Sequence, residues 1–189
     1  MKFSKLNALV LAATLTGFSG LAAQATMMSS DPMVGGAAMY PSRNIVQNAV
    51  HSKDHTTLVA AVKASGLVDT LEGAGPFTVF APTNEAFAKL PPGTVDNLLK
   101  PESKSTLVSV LTYHVVAGRY SAHQLKEMVK LGGGQAMLKT VEGGELTVKE
   151  YDGKLELIDA KGDKAWITIP NVNQSNGVIH VINTVLLPG

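Results

Sequence analysis

The feature that most constrains this chain is a change of period at Gly132-Gly133-Gly134. Upstream, apolar residues recur at helical spacing. Ile45, Val46, Ala49 and Val50 form one stripe. After a break at Ser52-Lys53-Asp54, Leu58, Val59, Ala61 and Val62 form another, with Gly66 as its stop. Leu107, Val110, Leu111 and His114 follow at i, i+3, i+4, i+7, and Ser121-Ala122-His123-Gln124 has the form of a capping box. Downstream, residues alternate. Strands are expected over 136–141, 145–149, 154–158, 166–169 and 178–187. Asp152-Gly153 is the strongest hairpin signal among them.

One strand, Phe77 to Ala81, precedes this run. Gly73-Ala74-Gly75-Pro76 turns into it, and Pro82-Thr83-Asn84 leaves it for a short helix in which Thr83 or Asn84 is the cap. Thr94 is expected to cap the next short helix. Helices first, one early strand, then antiparallel strands define an α+β class with a single mixed core. No repeat of 20–50 residues is present, so the chain is one unit rather than an array.

The N-terminus has the pattern of an export signal. Lys2 and Lys5 precede an uncharged run from Leu6 to Leu21, and Ala23-Gln24-Ala25 is a small-x-small cleavage pattern. The run is interrupted by Gly17, Ser19 and Gly20 and is shorter than the roughly 20 apolar residues of a membrane span. Residues 1–25 are therefore expected to be a signal peptide and the mature chain to start near Thr26, exported to the periplasm or outside the cell, with no membrane span. Residues 26–42 show no period and hold Met27, Met28, Met33 and Met39, so a flexible Met-rich leader is expected there, followed by one domain over 43–189.

Composition narrows the function classes. Removing the two signal-peptide lysines leaves 14 Lys+Arg against 15 Asp+Glu, which gives no bulk positive charge for nucleic acid. Apolar residues at 45% and charged residues at 16% are too apolar a mixture for general disorder. No cysteine is present, which removes disulfides, thiolate catalysis and cysteine-based metal sites. No Gly-x-Ser-x-Gly, His-Glu-x-x-His or phosphate-cradling Gly-Lys-Ser/Thr occurs, so no enzyme is expected. His51 and His55 are four apart, but the helix break lies between them, and neither a metal nor a cofactor is expected. Glu142, Glu145, Glu150, Asp152, Glu156, Asp159 and Asp163 interleave with lysines, as on a solvated strand face.

Three segments carry a resemblance. They are Gly75-Pro76-Phe77-Thr78-Val79-Phe80-Ala81-Pro82-Thr83-Asn84-Glu85-Ala86-Phe87, the central Tyr113-His114-Val115-Val116-Ala117-Gly118, and Asn176-Gly177-Val178-Ile179-His180-Val181-Ile182-Asn183-Thr184-Val185-Leu186-Leu187-Pro188. In order and spacing they resemble the fasciclin domain, over about Asn44 to Pro188, and especially the single-domain secreted fasciclin proteins of bacteria. The resemblance implies a β-wedge or sandwich of about seven strands with several helices. It also implies adhesion to cell-surface or matrix components.

The hallmark residues have a structural reading first. Phe77, Thr78, Val79, Phe80, Val178, Ile179, His180, Val181 and Ile182 fall in strands, and each large apolar side chain buried contributes about 1.5–3 kcal/mol. Pro82 ends its strand, Thr83-Asn84 caps a helix, and Asn176-Gly177 offers a turn where positive φ is cheap. His114 lies on an apolar stripe and is expected in the core. Tyr113, about 100° away on the helix, is expected to be partly exposed. The two together are the candidate partner-binding pair that adhesion relatives imply.

One departure from the family pattern matters. Adhesion relatives carry an Asp-Ile pair before the second hallmark, where this chain reads Asn171-Val172-Asn173-Gln174-Ser175, so integrin-type recognition through a carboxylate is not expected. Asn173-Gln174-Ser175 also matches a glycosylation sequon, expected to be a chance match in an exposed loop.

The expected function is thus an exported, non-enzymatic adhesion or interaction domain that binds a surface or matrix protein or polysaccharide. A periplasmic small-ligand carrier is the alternative, and a stress-related envelope protein with no dedicated ligand is the third reading. Low net charge makes shape, apolar contacts and hydrogen bonds the basis of binding.

Overall fold

A computed structural model describes residues 31–189. The expected signal peptide and the first five residues of the expected leader lie outside the described residues. Within the rest of that leader, residues 31–42, local structure is present. Met33–Val34 (β1) and Ala37–Ala38 (β2) form a small antiparallel hairpin, and Val34 and Met39 are buried in the core. Burial of these two apolar side chains anchors a stretch whose sequence has no period.

The helical half comes next. Asn44 caps Ile45–Ala49 (α1) through a capping box with Gln47. A 3₁₀ turn at Lys53–His55 marks the expected break before Thr56–Ser65 (α2), which Gly66 ends in the left-handed conformation at φ 79. Val68–Glu72 (α3) is a short helix that sequence reading did not find. After Phe77–Pro82 (β3), the Thr83 side chain caps Asn84–Ala88 (α4) by accepting from the Ala86 N–H. Thr94–Leu98 (α5) is preceded by Gly93 at φ 80, so Thr94 is its first residue and not its cap. Lys104–Tyr113 (α6) runs into Val115–Ala117 (β4), and Ser121 with Gln124 makes the expected capping box for Ala122–Leu131 (α7).

The strand half is Gln135–Lys139 (β5), Glu145–Tyr151 (β6), Lys154–Ile158 (β7), Lys164–Gln174 (β8) and Gly177–Ile182 (β9). Asp152 at φ 48 and Gly153 at φ 75 build the tight turn between β6 and β7. β8 is longer than the expected 166–169 because two register shifts, between Ile167 and Ile169 and between Ile169 and Val172, let it bend along β9. The last strand stops at Ile182, short of the expected Leu187. There the Asn183 side chain turns back to accept the Trp166 N–H.

These strands form one seven-stranded sheet in the order β4-β3-β9-β8-β7-β6-β5. A bridge between Val116 and Thr140 brings its two ends together, so the sheet is nearly closed. The two hallmark strands, β3 and β9, lie side by side in parallel register from Phe77 opposite Gly177 to Pro82 opposite Ile182. They are almost wholly buried, as central strands covered on both faces must be.

Two apolar clusters result. One includes Ile45, Leu58, Leu111 and Ile179 beneath the helices. The other includes Phe80, Tyr113, Leu125, Leu146 and Leu157, enclosed by the sheet and α7. No helix among the described residues is long and apolar enough to cross a membrane.

Candidate functional site

The residues singled out by sequence are brought together as internal fastenings. His114, which ends α6, is buried. Its Nδ1–H donates to the Val110 carbonyl at 2.8 Å, and its Nε2 accepts the Leu186 N–H at 3.0 Å. Those partners define a neutral ring with the proton on Nδ1. Burial pulls its pKa down to about 4, against smaller upward pushes from the Val110 carbonyl and the Asp159 charge.

Tyr113 is fully buried and not partly exposed as expected, because the chain turns from α6 into β4 immediately after it. Its hydroxyl donates to the Glu145 carbonyl at 2.7 Å and accepts the Ala160 N–H at 3.0 Å. Burial raises its pKa. Neither residue of the expected partner-binding pair offers a free polar atom to a partner.

The hallmark residues divide between packing and clamping. Thr78 donates to the Gly118 carbonyl at 2.7 Å and accepts the Tyr120 N–H at 2.9 Å. Asn84 donates to the Lys53 carbonyl at 2.8 Å and accepts from Thr57 N–H at 3.0 Å, which ties α4 to the start of α2. Asn176 accepts the Ile45 N–H at 3.1 Å and donates to the Leu71 and Gly73 carbonyls at 2.7 and 2.8 Å. Gly177 is required for a different reason than expected. Its φ is not in the positive region, but a Cβ there would lie 2.2 Å from the Phe77 carbonyl oxygen. Close parallel pairing of the two hallmark strands, and not turn geometry, selects this glycine.

His180 stacks on Phe80 with ring centroids 5.7 Å apart. It donates to the Tyr120 carbonyl at 2.8 Å and accepts the Asn171 N–H at 3.2 Å, and burial lowers its pKa.

Two expectations for polar residues are corrected by burial. Glu156 and Asp159 do not lie on a solvated face. Glu156 is buried and pairs with Lys164 at 3.3 Å. Asp159 is buried and accepts from the Lys161, Asp163 and Leu187 N–H groups, closing the turn after β7. The Asn173-Gln174-Ser175 sequon starts in β8, not in a loop, with the Gln174 side chain buried against Asn48.

Two concavities remain as places for a ligand. The first is a small apolar cavity of about 80 Å³, lined by Ile45, Leu58, Val62, Val79, Leu111 and Ile179. His55 reaches it from the 3₁₀ turn. Its Nδ1 is 2.9 Å from the Ser52 hydroxyl, and its Nε2 leans toward the Ala81 carbonyl without a hydrogen bond of normal geometry. Burial lowers the His55 pKa. His51 is exposed and His55 is buried, so they do not form a pair, and no cluster of three or more potential metal ligands occurs among the described residues.

The second concavity is an open groove of about 1040 Å³ where β7 and β8 part. These strands pair only from Glu156 opposite Trp166 to Ile158 opposite Lys164, after which β8 follows β9 alone. One wall is the face of α7 carrying His123, Lys126, Glu127 and Lys130, whose other side buries Leu125 and Val129. The opposite wall holds Tyr151, Trp166, Asn171 and Asn183. The Tyr151 and Trp166 rings meet edge to face with centroids 6.2 Å apart. Lys126 ties the walls by donating to the Gly153 carbonyl and pairing with Glu150 at 3.2 Å.

Sequence reading missed this groove. Trp166 was legible only as a strand residue, and Tyr151, an aromatic residue beside a tight turn, was the one available signal. Which strands part company is not a property of any single strand.

A nearly closed sheet whose two neighbouring parallel strands are locked to helices by buried asparagine and histidine clamps, with a polar groove on its outside, defines a compact α+β domain. This chain belongs to the fasciclin domain family, whose pattern matches residues 53–188. It is 45% identical over 179 residues to Protein sll1483 of Synechocystis, covering 92% of each chain. It is 33% identical to the immunogenic protein MPB70 of Mycobacterium bovis, covering 94% of this chain and 96% of that one. It is 34% identical to the cell surface glycolipoprotein MPB83 of the same species, covering 85% of this chain and 62% of that one.

In fold it is similar to a FAS1 domain pair from the insect cell adhesion molecule fasciclin I. The TM-score is 0.69 at 22% identity, over 77% of this chain and 51% of that one, so this chain spans about half of that pair.

Proposed function

We propose that this protein is an exported, non-enzymatic fasciclin-domain protein that binds an envelope or extracellular matrix component and so serves surface attachment. The observation that carries the reading is the groove between α7 and the parting strands β7 and β8. It is open to solvent and concave, and it is lined by exposed or partly exposed aromatic, amide and charged side chains. That the relative MPB83 is a cell surface glycolipoprotein is consistent with that role. Tyr113 and His114 serve it indirectly, by holding α6, the loop after β7 and the C-terminal segment together. Metal-assisted integrin recognition has no support, since the segment Asn171-Val172-Asn173-Gln174-Ser175 before the second hallmark holds no carboxylate.

The test is binding of the purified protein to separated envelope protein and polysaccharide fractions. Saturable binding to one fraction supports the reading. A folded, monodisperse sample that binds neither overturns it.

The small-ligand carrier has one observation in its favour, the apolar cavity beneath His55. At about 80 Å³ it is well below the roughly 300–1,000 Å³ of ordinary ligand sites. It has room for a few non-hydrogen atoms. Native mass spectrometry showing a bound molecule larger than that would restore the carrier reading.

A further inference from the structure

We infer that the groove between α7 and the parting strands β7 and β8 is a binding site for an uncharged glycan chain, with Trp166 and Tyr151 as its stacking platform and Asn171 and Asn183 as its hydrogen-bonding edge. The inference rests on the interaction role proposed above and names the chemistry of the partner.

Four observations lead to it. First, the aromatic pair is available. Tyr151 is 47% exposed and Trp166 partly so, and neither the phenol hydroxyl nor the indole N–H is hydrogen-bonded among the described residues. A pyranose ring has apolar C–H faces and a hydroxyl rim, which suits an amphipathic aromatic surface with a polar tip.

Second, the amides are oriented. Asn171 Oδ1 accepts the Ala122 N–H at 2.7 Å and Asn183 Oδ1 accepts the Trp166 N–H at 2.8 Å. Each side chain is thereby pinned while its NH₂ donates to nothing among the described residues, which leaves paired donors for sugar oxygens. Asn171 is also held at φ +59, a left-handed conformation uncommon for a residue with a side chain. Such strain persists only where surrounding bonds over-determine it. Here those bonds are the Ala122 contact and the Asn171 N–H to His180 at 3.2 Å.

Third, the charges cancel. Lys126 pairs with Glu150 at 3.2 Å and Lys130 with Glu127 at 3.1 Å, while Asp152 and Lys154 flank one turn with opposite signs. The groove offers no excess charge to a polyanion or polycation.

Fourth, the alternative occupant, an extended peptide added to the open edge of β8, meets obstacles. Pro170 has no N–H, Asn171 is left-handed, and the strand shifts register on both sides of Ile169. These are the devices by which natural edge strands resist pairing.

Trp166 is the single tryptophan of the chain, so its fluorescence reports the groove directly. The experiment titrates the full protein with cellohexaose, maltohexaose and chitohexaose, with the polysaccharide fraction of the producing cells, and with a sulfated polysaccharide. The expected result is a saturable fluorescence change with at least one uncharged glycan that persists at raised salt. In calorimetry, Tyr151→Ala is expected to weaken that binding at least tenfold with an unchanged melting temperature, and Trp166→Ala to abolish it.

Three results overturn the inference. One is a response to the sulfated polysaccharide alone. The second is wild-type affinity in a folded Tyr151→Ala variant. The third is no response to any glycan while the protein still binds the envelope protein fraction saturably; that last outcome leaves the interaction role standing and removes only the glycan. Failure to bind either envelope fraction removes both.

Discussion

The backbone N–H of Asn171 donates to Nδ1 of the buried His180 at 3.2 Å, which couples the second hallmark strand to the rim of the groove. His180 in turn donates to the Tyr120 carbonyl at 2.8 Å, just before α7 begins. One imidazole therefore spans β8, β9 and the approach to the helix that forms the opposite wall. His180→Ala removes both bonds from backbone groups that are only partly buried and opens a void beside Phe80 in the core. We expect a loss of about 3 kcal/mol or more in denaturant unfolding, with weakened binding in the groove even though His180 does not line it. His180→Phe, which fills the void but restores neither bond, is expected to recover only part of the stability.

Acid is expected to destabilise the domain through its buried histidines. The folded His114 holds a proton only near pH 4, while the unfolded ring takes one near 6.5. Between those values the unfolded chain binds more protons, so stability is full above pH 6.5 and falls as pH drops toward 4. The gap corresponds to about 3 kcal/mol for this residue. His55 and His180, whose values burial also lowers, add in the same direction. Urea midpoints measured across this range should fall on acidification. In His114→Gln the fall should be shallower even though the variant is less stable at neutral pH. An identical pH slope in wild type and variant contradicts the assignment.

The Asn176 clamp is expected to be among the most sensitive positions. Asn176→Ala leaves the Ile45 N–H and the Leu71 and Gly73 carbonyls unpaired, at a combined cost of about 3–5 kcal/mol. For a chain of this length that lowers the melting temperature by roughly 10 °C. Asn176→Asp keeps the acceptor for Ile45 but sets a carboxylate against two carbonyls, so it should not rescue the alanine variant. Thermal melts of the two variants check this directly.

Gly177→Ala is expected to destabilise by about 3 kcal/mol, because the new methyl meets the Phe77 carbonyl oxygen and the β3–β9 pair must separate locally. If Gly177 served a turn, alanine would be far milder at its ordinary negative φ. Unfolding midpoints of this variant distinguish a packing glycine from a turn glycine.

Tyr113→Phe removes a hydroxyl that bridges the Glu145 carbonyl and the Ala160 N–H. A loss of about 1–3 kcal/mol is expected, with binding to envelope fractions unchanged once the protein is folded. Lost binding at unchanged stability would return Tyr113 to the role of direct partner contact.

Much of the architecture was legible because its determinants are local. The Ser121-x-x-Gln124 box, the Gly66 stop, the Asp152-Gly153 turn and the alternation of β6 and β7 each depend on neighbours within a few residues. His114 was legible as a core residue because helical period places it on the same stripe as Leu107 and Leu111. The adjacent Tyr113 was misplaced because its burial depends on the turn into β4 and on a partner carbonyl 32 residues away.

By itself, the sequence determined the order of helices and strands, the α+β class, the caps and turns, and the hallmark segments as buried strands. Only the tertiary structure decided that those hallmarks lie parallel to each other, that Gly177 is needed for close approach, that Asn176 is a clamp, and that β7 and β8 part to form a groove. The physical reason is range. Period and capping are set by contacts a turn or a residue pair away, whereas pairing of segments a hundred residues apart depends on how the whole chain shares its buried surface and its hydrogen bonds.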